Sequence, residues 1–258
     1  MAVPERRTRA GRVRPRLLDL CCGAGGASAG FHFAGFDVVG VDIAPQPNYP
    51  FEFVQADALD VLEQVVDGCS DGPVVMELGF FDAVHASPPC QFHTDMQAIA
   101  GNQGAHQELI DPIRELLEQT GLPYVIENVE GAKPYMQDPF RLCGSSFGLG
   151  VHKTDNWEME WRELRRHRLF ETNWPIGLVP TCGHMGRSVG IYGDHLRWGR
   201  RSTDGEVSGP EALELGRVAM GINWMTWPEL VEAIPPSYTE WIGRRLISRL
   251  AEQSGEAA

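Results

Sequence analysis

The stretch RLLDLCCGAGGASAGF, residues 16–31, carries the clearest fold signal in the sequence. It begins with an apolar run typical of a buried strand, continues through a glycine-rich turn, and ends in small residues suited to a helix. Glycine has no β-carbon, so a turn of this kind lets the backbone approach a ligand closely. The G-A-G-G spacing differs from the G-x-G-x-x-G of dinucleotide-binding proteins. The stretch therefore predicts a strand, a ligand-binding turn and a helix, without specifying the ligand.

Short apolar runs and helix-like stretches alternate through the first half of the chain, as they do in βα units. One intervening stretch, HQELIDPIRELLEQT, has a single apolar helical face formed by Leu109, Ile113, Leu116 and Leu117. This alternation predicts an α/β fold with an open, mostly parallel, Rossmann-like sheet and helices on both faces. Ligands should bind beyond the carboxyl ends of the strands. The predicted strands are RLLDLCC, GFDVVGVDI, FEFVQAD, FFDAVHAS and LPYVIENV.

The bulk composition favours one catalytic domain with a small additional lobe. The chain has 258 residues, 43% of them hydrophobic, and its six cysteines are irregularly spaced. Without a signal-like N-terminus, that cysteine pattern favours free thiols in a reducing compartment, and no apolar run is long enough to span a membrane. We therefore expect a cytoplasmic protein with no membrane partner.

The net charge of −13 argues against nonspecific nucleic-acid binding, because an acidic surface repels phosphates. Arginines are nevertheless concentrated in two segments, the first before residue 17 and the second between residues 162 and 201. The first run is interpreted as a solvated or flexible arm. The second has few acids between Arg187 and Arg201 and is interpreted as a surface that faces phosphates.

Carboxylates follow two of the predicted strands at the expected ligand edge. Asp42 can accept both hydroxyls of a ribose, and Asp57 can accept a hydrogen bond from the exocyclic amino group of adenine. Together with the glycine turn, these loops would hold a nucleoside-like cofactor that lacks a pyrophosphate, and S-adenosylmethionine fits that description. The predicted cofactor-binding residues are Cys21, Cys22, Gly23, Ala24, Gly25, Asp42, Ile43, Asp57, Ala58 and Pro89.

Five motifs occur in a characteristic order: DLCCGAGGASAGF, SPPCQ, VIENVEGA, RRHRLFE and EAIPPSYTEWIG. Their order from about residue 16 to residue 246 resembles the DNA cytosine-5 methyltransferase family, and the chain looks like a compact, phage-type member. The resemblance implies a methyltransferase fold, S-adenosylmethionine as cofactor, double-stranded DNA as partner and a monomeric enzyme. It also implies a location in a bacterial cell or phage-infected host, with restriction–modification as one possible context.

The resemblance assigns chemistry to four residues. Cys90 is the thiolate that adds to carbon 6 of cytosine, which activates carbon 5 for methylation. Glu127 holds the ring nitrogen next to the amino group, as a general acid, and Asn128 braces the loop. Arg166 and Arg168 match two arginines that alternate along a strand. The chain departs from the family pattern at Leu164 and Glu232, which replace a glutamine and an asparagine, and at Cys21, which replaces an aromatic residue that stacks on adenine.

Because the target carbon is stacked inside duplex DNA, the cytosine must be flipped into the pocket. The segment after Cys90 is suited to a lid, and residues 174–217 to a small target-recognition lobe in which Trp198 or Tyr192 could stack on a base. The DNA-binding candidates are Gln91, Arg187, Arg197, Arg200 and Arg201. The predicted organisation is a basic arm (1–15), the catalytic and cofactor-binding domain (16–173), the lobe (174–217), helices that complete the catalytic domain (218–250) and a tail (251–258).

The motif TCGHMG raises a metal possibility through Cys182 and His184. Two ligands do not make a zinc site, and Cys143 and His152 would have to come close to complete one. The sequence-based prediction is therefore that no metal is bound.

Two alternatives to DNA methylation stay open. The same scaffold could act on another substrate, such as tRNA, a free cytosine nucleotide or DNA with an altered donor group. A non-catalytic DNA-binding relative is the second alternative, although retention of Cys90 and Glu127 argues against it.

Overall fold

A computed structural model describes residues 14–67, 80–89, 109–155, 158–199 and 204–254. All five predicted strands occur, and they form one side of a seven-stranded sheet with the order β3-β2-β1-β4-β5-β9-β6. The first five strands in that order are mutually parallel, whereas β9 is antiparallel to β5 and β6 is antiparallel to β9. The strands are β1 (Arg16–Leu20), β2 (Asp37–Asp42), β3 (Glu52–Gln55), β4 (Ala83–Ala86), β5 (Tyr124–Asn128), β6 (Phe140–Leu142) and β9 (Arg168–Thr172).

The chain changes direction across this sheet at β1. Strand β2 lies on one side of β1 and β4 lies on the other. This reversal opens a crevice beyond the carboxyl ends of β1 and β4, which is where α/β proteins of this type bind ligands. The glycine turn and residues 87–89 follow these two strands directly, so both reach the same rim.

Helices cover both faces of the sheet. On one face, α2 (Ala58–Asp67) and α3 (Ile110–Thr120) pack over a core that includes Leu18, Val84 and Ile126. On the other face, α1 (Gly26–Ala34) lies against the C-terminal α6 (Pro236–Ser254). As predicted, the apolar face of α3 points inward, because Ile113 and Leu117 are fully buried and Leu109 and Leu116 pack against the same core.

A second, five-stranded sheet has the order β12-β11-β10-β8-β7. Helices α4 (Gly209–Met220) and α5 (Trp227–Glu232) contribute to its core. Two of its strands, β7 and β8, lie before residue 174 and so fall inside the range predicted for the catalytic domain. They belong to the second sheet because β8 pairs in parallel with β10. The strands are β7 (Gly150–Asp155), β8 (Glu158–Leu164), β10 (Arg187–Tyr192), β11 (His195–Trp198) and β12 (Glu206–Ser208).

Capping boxes in the sequence predict two helix starts near the C-terminus, and one of them is correct. Thr226 and Glu229 form a reciprocal capping box at the start of α5. Ser237 does not cap α6, because that helix already begins at Pro236, whose fixed φ suits the first turn. Within the described residues, no helix is long and apolar enough to cross a membrane.

The described part of the chain includes Arg14 and Pro15, which precede the predicted boundary at residue 16. Arg14 donates hydrogen bonds to the carbonyl oxygens of His32 and Gly35, and the Pro15 carbonyl accepts one from the Asp37 amide. The last two residues of the predicted arm are therefore attached to the sheet domain.

Candidate active site

The glycine turn between β1 and α1 adopts a left-handed path. Cys21, Gly23 and Gly25 have φ values of 55°, 50° and 86°, and this conformation suits glycine far better than other residues. A β-carbon on Gly25 would lie 2.9 Å from the Tyr49 ring, whereas one on Gly23 would meet no heavy atom within 4 Å. The turn is thus packed from below at Gly25 and open at Gly23, as a ligand-binding loop should be.

Asp42 lies at the end of β2, beside this turn. Its two carboxylate oxygens accept hydrogen bonds from the amides of Gly23 and Ala44, each at 2.9 Å. Each oxygen has a further lone pair, so the carboxylate can still accept hydroxyl donors. Ile43 follows with 69% of its surface exposed, an apolar side chain at the rim that could cover a purine face.

Asp57 lies at the next loop along the rim and caps helix α2. Its carboxylate accepts the Leu59 amide at 2.8 Å, and its carbonyl accepts the Val61 amide. Ala58 is the first residue of that helix. Because Asp57 is half-buried and its other oxygen is not used in the cap, its predicted contact with an adenine amino group is compatible with its position.

The two thiols of the turn are poorly suited to act as nucleophiles. Burial, reinforced by the nearby carboxylate of Asp42, raises the pKa of Cys21 to about 12. Burial and Asp19 raise the pKa of Cys22 further. Both thiols therefore stay protonated near neutral pH, whereas a nucleophilic cysteine must be a thiolate.

The SPPC segment leaves the sheet from β4, between β1 and β5. The Ser87 amide donates to the Leu20 carbonyl, Pro88 is buried and Pro89 is exposed at the rim. Cys90 and Gln91 lie outside the described residues, as does the predicted lid. The structure thus shows where the segment that ends at Pro89 meets the crevice, and the role of Cys90 stays a prediction.

Glu127 is a buried carboxyl on β5, only 5% exposed. Burial raises its pKa, and the partial compensation by the cations Arg168 and Arg166 and by His85 does not reverse the shift. Arg168 Nε lies 3.0 Å from Glu127 Oε1 as an ion pair, without the alignment of a hydrogen bond. A carboxyl that retains its proton more readily than usual is what a general acid requires.

Asn128 connects β5 to the SPPC segment. Its side-chain amide donates to the Pro88 carbonyl at 3.0 Å, and its side-chain oxygen accepts the Val129 amide at 2.9 Å. Asn128 is 1% exposed, so both bonds are shielded from water. The hydrogen bond to the Pro88 carbonyl is therefore consistent with the predicted bracing role of Asn128.

Arg166 differs from its predicted position. It lies in the turn before β9, so Arg166 and Arg168 do not alternate along one strand. Its guanidinium is buried and donates to the carbonyl oxygens of Ala233, Ile191 and Val231. These hydrogen bonds join the second sheet to the C-terminal segment. Because the donors of Arg166 are used in them, its side chain does not face the rim with Arg168.

The candidate DNA contacts are distributed unevenly. Arg187 begins β10 and pairs with Glu160 at 3.3 Å, and Arg197 is exposed on β11 with its Nε donating to His195 at 2.8 Å. The acid that pairs with Arg187 lies on the neighbouring strand β8 and not between Arg187 and Arg201. Trp198 is 5% exposed within the lobe core and cannot stack on a base, whereas Tyr192 is 51% exposed. Arg200 and Arg201 lie outside the described residues.

Sequence reasoning missed a buried polar network beneath the crevice. Asp19 on β1 accepts hydrogen bonds from Ser28 and lies 2.7 Å from His85 Nδ1, and Tyr49 donates to Ser28 at 2.9 Å. Asp19, Ser28 and His85 are all fully buried. The only signal was the presence of Asp19 and His85 inside otherwise apolar strands, which requires a polar partner for each.

A second missed residue is Trp224, whose indole donates to the Ala24 carbonyl at 2.8 Å. The bond spans 200 residues of sequence and attaches the segment after α4 to the glycine turn. No local pattern marks such a contact. The structure also brings Cys143 close to Cys182 and His184, while His152 lies elsewhere, packed against Trp161.

Comparisons with known proteins agree with this architecture. No family model matches the chain. A curated relative, the type II methyltransferase M.XorII of Xanthomonas oryzae pv. oryzae, is 34% identical over 123 residues, which cover 46% of this chain and 29% of that protein. The chain thus spans under a third of the length of this relative.

Solved structures share the fold over most of the chain. A protein described as a DNA modification methyltransferase encoded within an E. coli prophage has a TM-score of 0.52 at 14% identity, covering 92% of this chain and 99% of that one. The S. pombe Dnmt2 methyltransferase has a TM-score of 0.51 at 12% identity, covering 93% and 99%.

The class is therefore that of an α/β protein with the S-adenosylmethionine-dependent methyltransferase fold and a second sheet as a lobe. Within this class, the distant similarity to M.XorII agrees with the resemblance to the cytosine-5 methyltransferase family that the five motifs indicate.

Proposed function

We propose that the protein methylates carbon 5 of cytosine in duplex DNA, with S-adenosylmethionine as methyl donor and Cys90 as covalent nucleophile. The observation that carries the proposal is the buried Glu127 carboxyl with a raised pKa, paired with Arg168 and joined through Asn128 to the segment that leads to Cys90. A carboxyl with a perturbed pKa at the ligand edge of a parallel sheet is a candidate for acid–base chemistry.

The rim beside Glu127 fits the proposed cofactor. Gly23 leaves open space above the turn, Asp42 can accept hydroxyl donors and the exposed Ile43 offers an apolar surface. S-adenosylmethionine would supply an electrophilic methyl group carried on a sulfonium. Asp57 and Ala58 would hold its adenine end, and Cys21, Cys22, Ala24, Gly25 and Pro89 would shape the surrounding wall.

The proposed chemistry follows from the properties of the ring. Carbon 5 of cytosine is a weak nucleophile, and addition of the Cys90 thiolate to carbon 6 makes it enamine-like. Glu127 donates a proton to the ring nitrogen next to the amino group as the sulfur–carbon bond forms, and Arg168 orients Glu127 and contacts the carbonyl oxygen of the base. Carbon 5 would take the methyl group as the methyl–sulfonium bond breaks, which leaves a neutral thioether. Water would then accept the carbon 5 proton, the carbon 6–sulfur bond would break to release the Cys90 thiolate, and the proton on the ring nitrogen would return to Glu127, which restores the aromatic ring.

The second sheet is the proposed target-recognition lobe. It presents Arg187, Arg197 and the exposed Tyr192, which suit phosphate contact, guanine edges and base stacking. The lobe would include β7 and β8 as well as residues 174–217. The similarity to the prophage protein, which is described as a DNA modification methyltransferase, favours DNA over RNA or a free nucleotide as substrate.

The decisive experiment offers labelled S-adenosylmethionine with duplex DNA, tRNA and deoxycytidine monophosphate in separate reactions. Digestion and chromatography of the labelled base should identify 5-methylcytosine from DNA alone. Label in tRNA or in the nucleotide would contradict the choice of substrate, and no label in any would contradict the activity.

The nucleophile is tested with Cys90→Ser and a duplex that contains 5-fluorocytosine. The wild type should form a covalent adduct that survives denaturing electrophoresis, and the variant should form none and lose turnover. Cys69→Ser, at a cysteine outside all five motifs, is the matched control and should behave as the wild type. Full turnover by Cys90→Ser would refute the assignment.

A further inference from the structure

Four metal-ligating side chains from three separate segments converge near the start of β9. Cys143 follows β6, His167 precedes β9, and Cys182 and His184 lie in the stretch between β9 and β10. One ligand atom from each side chain, a sulfur or a ring nitrogen, lies within 4.8 Å of all the others. This cluster is separate from the cofactor rim and has no part in the proposed methyl transfer.

Three of the distances between these atoms are close to those of a tetrahedral zinc site, and the other distances are within 4.8 Å. The His167 and His184 Nε2 atoms are 3.4 Å apart, Cys143 Sγ is 3.4 Å from His184 Nε2, and Cys182 Sγ is 3.8 Å from His167 Nε2. Zn–S bonds of about 2.3 Å and Zn–N bonds of about 2.0–2.1 Å place tetrahedral ligand atoms roughly 3.3–3.8 Å apart. The two ring nitrogens face each other at a distance too long for an ordinary hydrogen bond, whereas a shared cation accounts for it.

Outer contacts hold the ligands in the orientation that a metal requires. Glu130 Oε2 lies 3.0 Å from His167 Nδ1, so the carboxylate favours a proton on Nδ1 and leaves the Nε2 lone pair directed into the cluster. Ser145 donates to Cys143 Sγ at 3.3 Å, and Arg141 lies 3.9 Å from Cys182 Sγ. Each sulfur therefore has a polar neighbour that can hold it in place beside the cluster.

We propose that Cys143, His167, Cys182 and His184 bind one Zn²⁺ ion as a structural site. Thiolate and imidazole ligands select zinc over magnesium or calcium, and four protein ligands leave no open position for catalysis. Two thiolates and two neutral imidazoles also balance the charge of the ion, so the half-buried site carries no net charge.

The ion has a clear structural task. Residues 173–186 contain no helix or strand. Trp174, Ile176 and Val179 pack against the core of the first sheet, but no residue from 180 to 186 is buried and Met185 is 95% exposed, so the end of this stretch has little apolar packing to hold it. The site attaches the stretch to β6 and to the turn at His167. That turn lies between Arg166, which joins the second sheet to the C-terminal segment, and Arg168, which pairs with Glu127.

Metal content is the direct test. The full chain, purified without chelator and dialysed against metal-free buffer, should contain about one zinc per molecule by mass spectrometry of the elements. Replacement by Co²⁺ should produce a thiolate-to-cobalt charge-transfer band and the intense visible bands of tetrahedral cobalt. Neither readout depends on methyltransferase activity, so failure of the proposed function would leave this test intact.

Variants then assign the ligands. His184→Asn and Cys182→Ser should lose the bound zinc, whereas His152→Asn, at the exposed histidine outside the cluster, should retain it. Glu130→Gln keeps all four ligands and should weaken zinc binding about 10–100-fold by removing the partner of His167.

The cobalt titration uses the wild-type chain and so remains informative even where a ligand variant fails to fold. The proposal would be overturned if the wild-type protein contained no stoichiometric zinc and if its cobalt-substituted form gave an octahedral spectrum. A disulfide between Cys143 and Cys182 in metal-free protein, detected as a loss of two hydrogens in the intact mass, would overturn it as well.

Discussion

The proposed acid chemistry depends on the side chain of Glu127, and the pH dependence of activity tests it directly. Its raised pKa means that Glu127 keeps its proton to a higher pH than an ordinary carboxyl does and loses it as the pH rises through the shifted value. Activity that needs this proton should therefore fall on the alkaline side. Glu127→Gln should reduce kcat about 10²–10⁴-fold, and its residual rate should lose that alkaline decline, as measured by pH profiles of kcat on duplex DNA.

The matched control for this change is Glu115→Gln, at an exposed glutamate on α3. It should leave both the rate and the pH profile unchanged. An unaltered rate in Glu127→Gln would remove the general acid from the mechanism. A loss of thermal stability that parallels the loss of rate would instead indicate a structural role.

Asn128 makes a separate prediction as a positioning residue. Asn128→Asp keeps the acceptor for the Val129 amide but places a carboxylate oxygen against the Pro88 carbonyl, where the amide donor was. We expect a destabilisation of about 1–3 kcal/mol in urea unfolding, and a lower kcat with little change in KM for S-adenosylmethionine. A change in that KM alone would show that Asn128 serves the cofactor pocket and not the Cys90 segment.

Among helices and strands, the attachment of α3 to β9 depends on one buried ion pair. Arg114 Nε and Nη2 donate to the two carboxylate oxygens of Glu171 at 2.6 Å and 2.9 Å, and the Gln137 amide donates to Glu171 at 2.7 Å. Both side chains are at most 6% exposed. The carboxylate of Glu171 raises the pKa of Arg114, which therefore stays charged.

Removal of Glu171 leaves the buried guanidinium of Arg114 with only the exposed carboxylate of Asp111 as a charged partner. Glu171→Leu should reduce the free energy of unfolding by about 3–5 kcal/mol. The double variant with Arg114→Met should recover part of that loss, because no lone charge then remains. Chemical denaturation of the single and double variants measures the difference, and equal losses in both would show that the charge is not the cause.

Close contact between α1 and α6 depends on Gly30. A β-carbon at this position would overlap Thr239 Oγ1 and the Pro236 carbonyl oxygen. Gly30→Ala should therefore destabilise the protein by about 1–3 kcal/mol, although alanine favours helices over glycine by roughly 1 kcal/mol. Gly186→Ala, where a β-carbon meets nothing within 4 Å, is the control for thermal unfolding.

For the molecule as a whole, the acidic net charge of −13 means that DNA binding must depend on local basic surfaces. Arg197→Ala, on the exposed face of the second sheet, should weaken duplex binding and reduce the slope of log affinity against log salt by about 1. Arg244→Ala, at an exposed arginine on α6 paired with Glu240, should change neither quantity. Equal effects of both variants would argue against the lobe as the DNA-binding surface.

Local pattern was sufficient to predict the parallel half of the first sheet, the inward face of α3, the cap of α5 and the candidate carboxylates Asp42 and Glu127. These features depend on periodicity, on turn chemistry and on the rule that parallel strands end at one edge, all of which operate within about fifteen residues. The buried position of Arg166, the buried Trp198 and the inclusion of β7 and β8 in the lobe depend on which distant strands pair. The zinc cluster is the plainest case, because its ligands span residues 143 to 184 and only the packing of β6, the turn before β9 and the stretch after it brings four ligand atoms together.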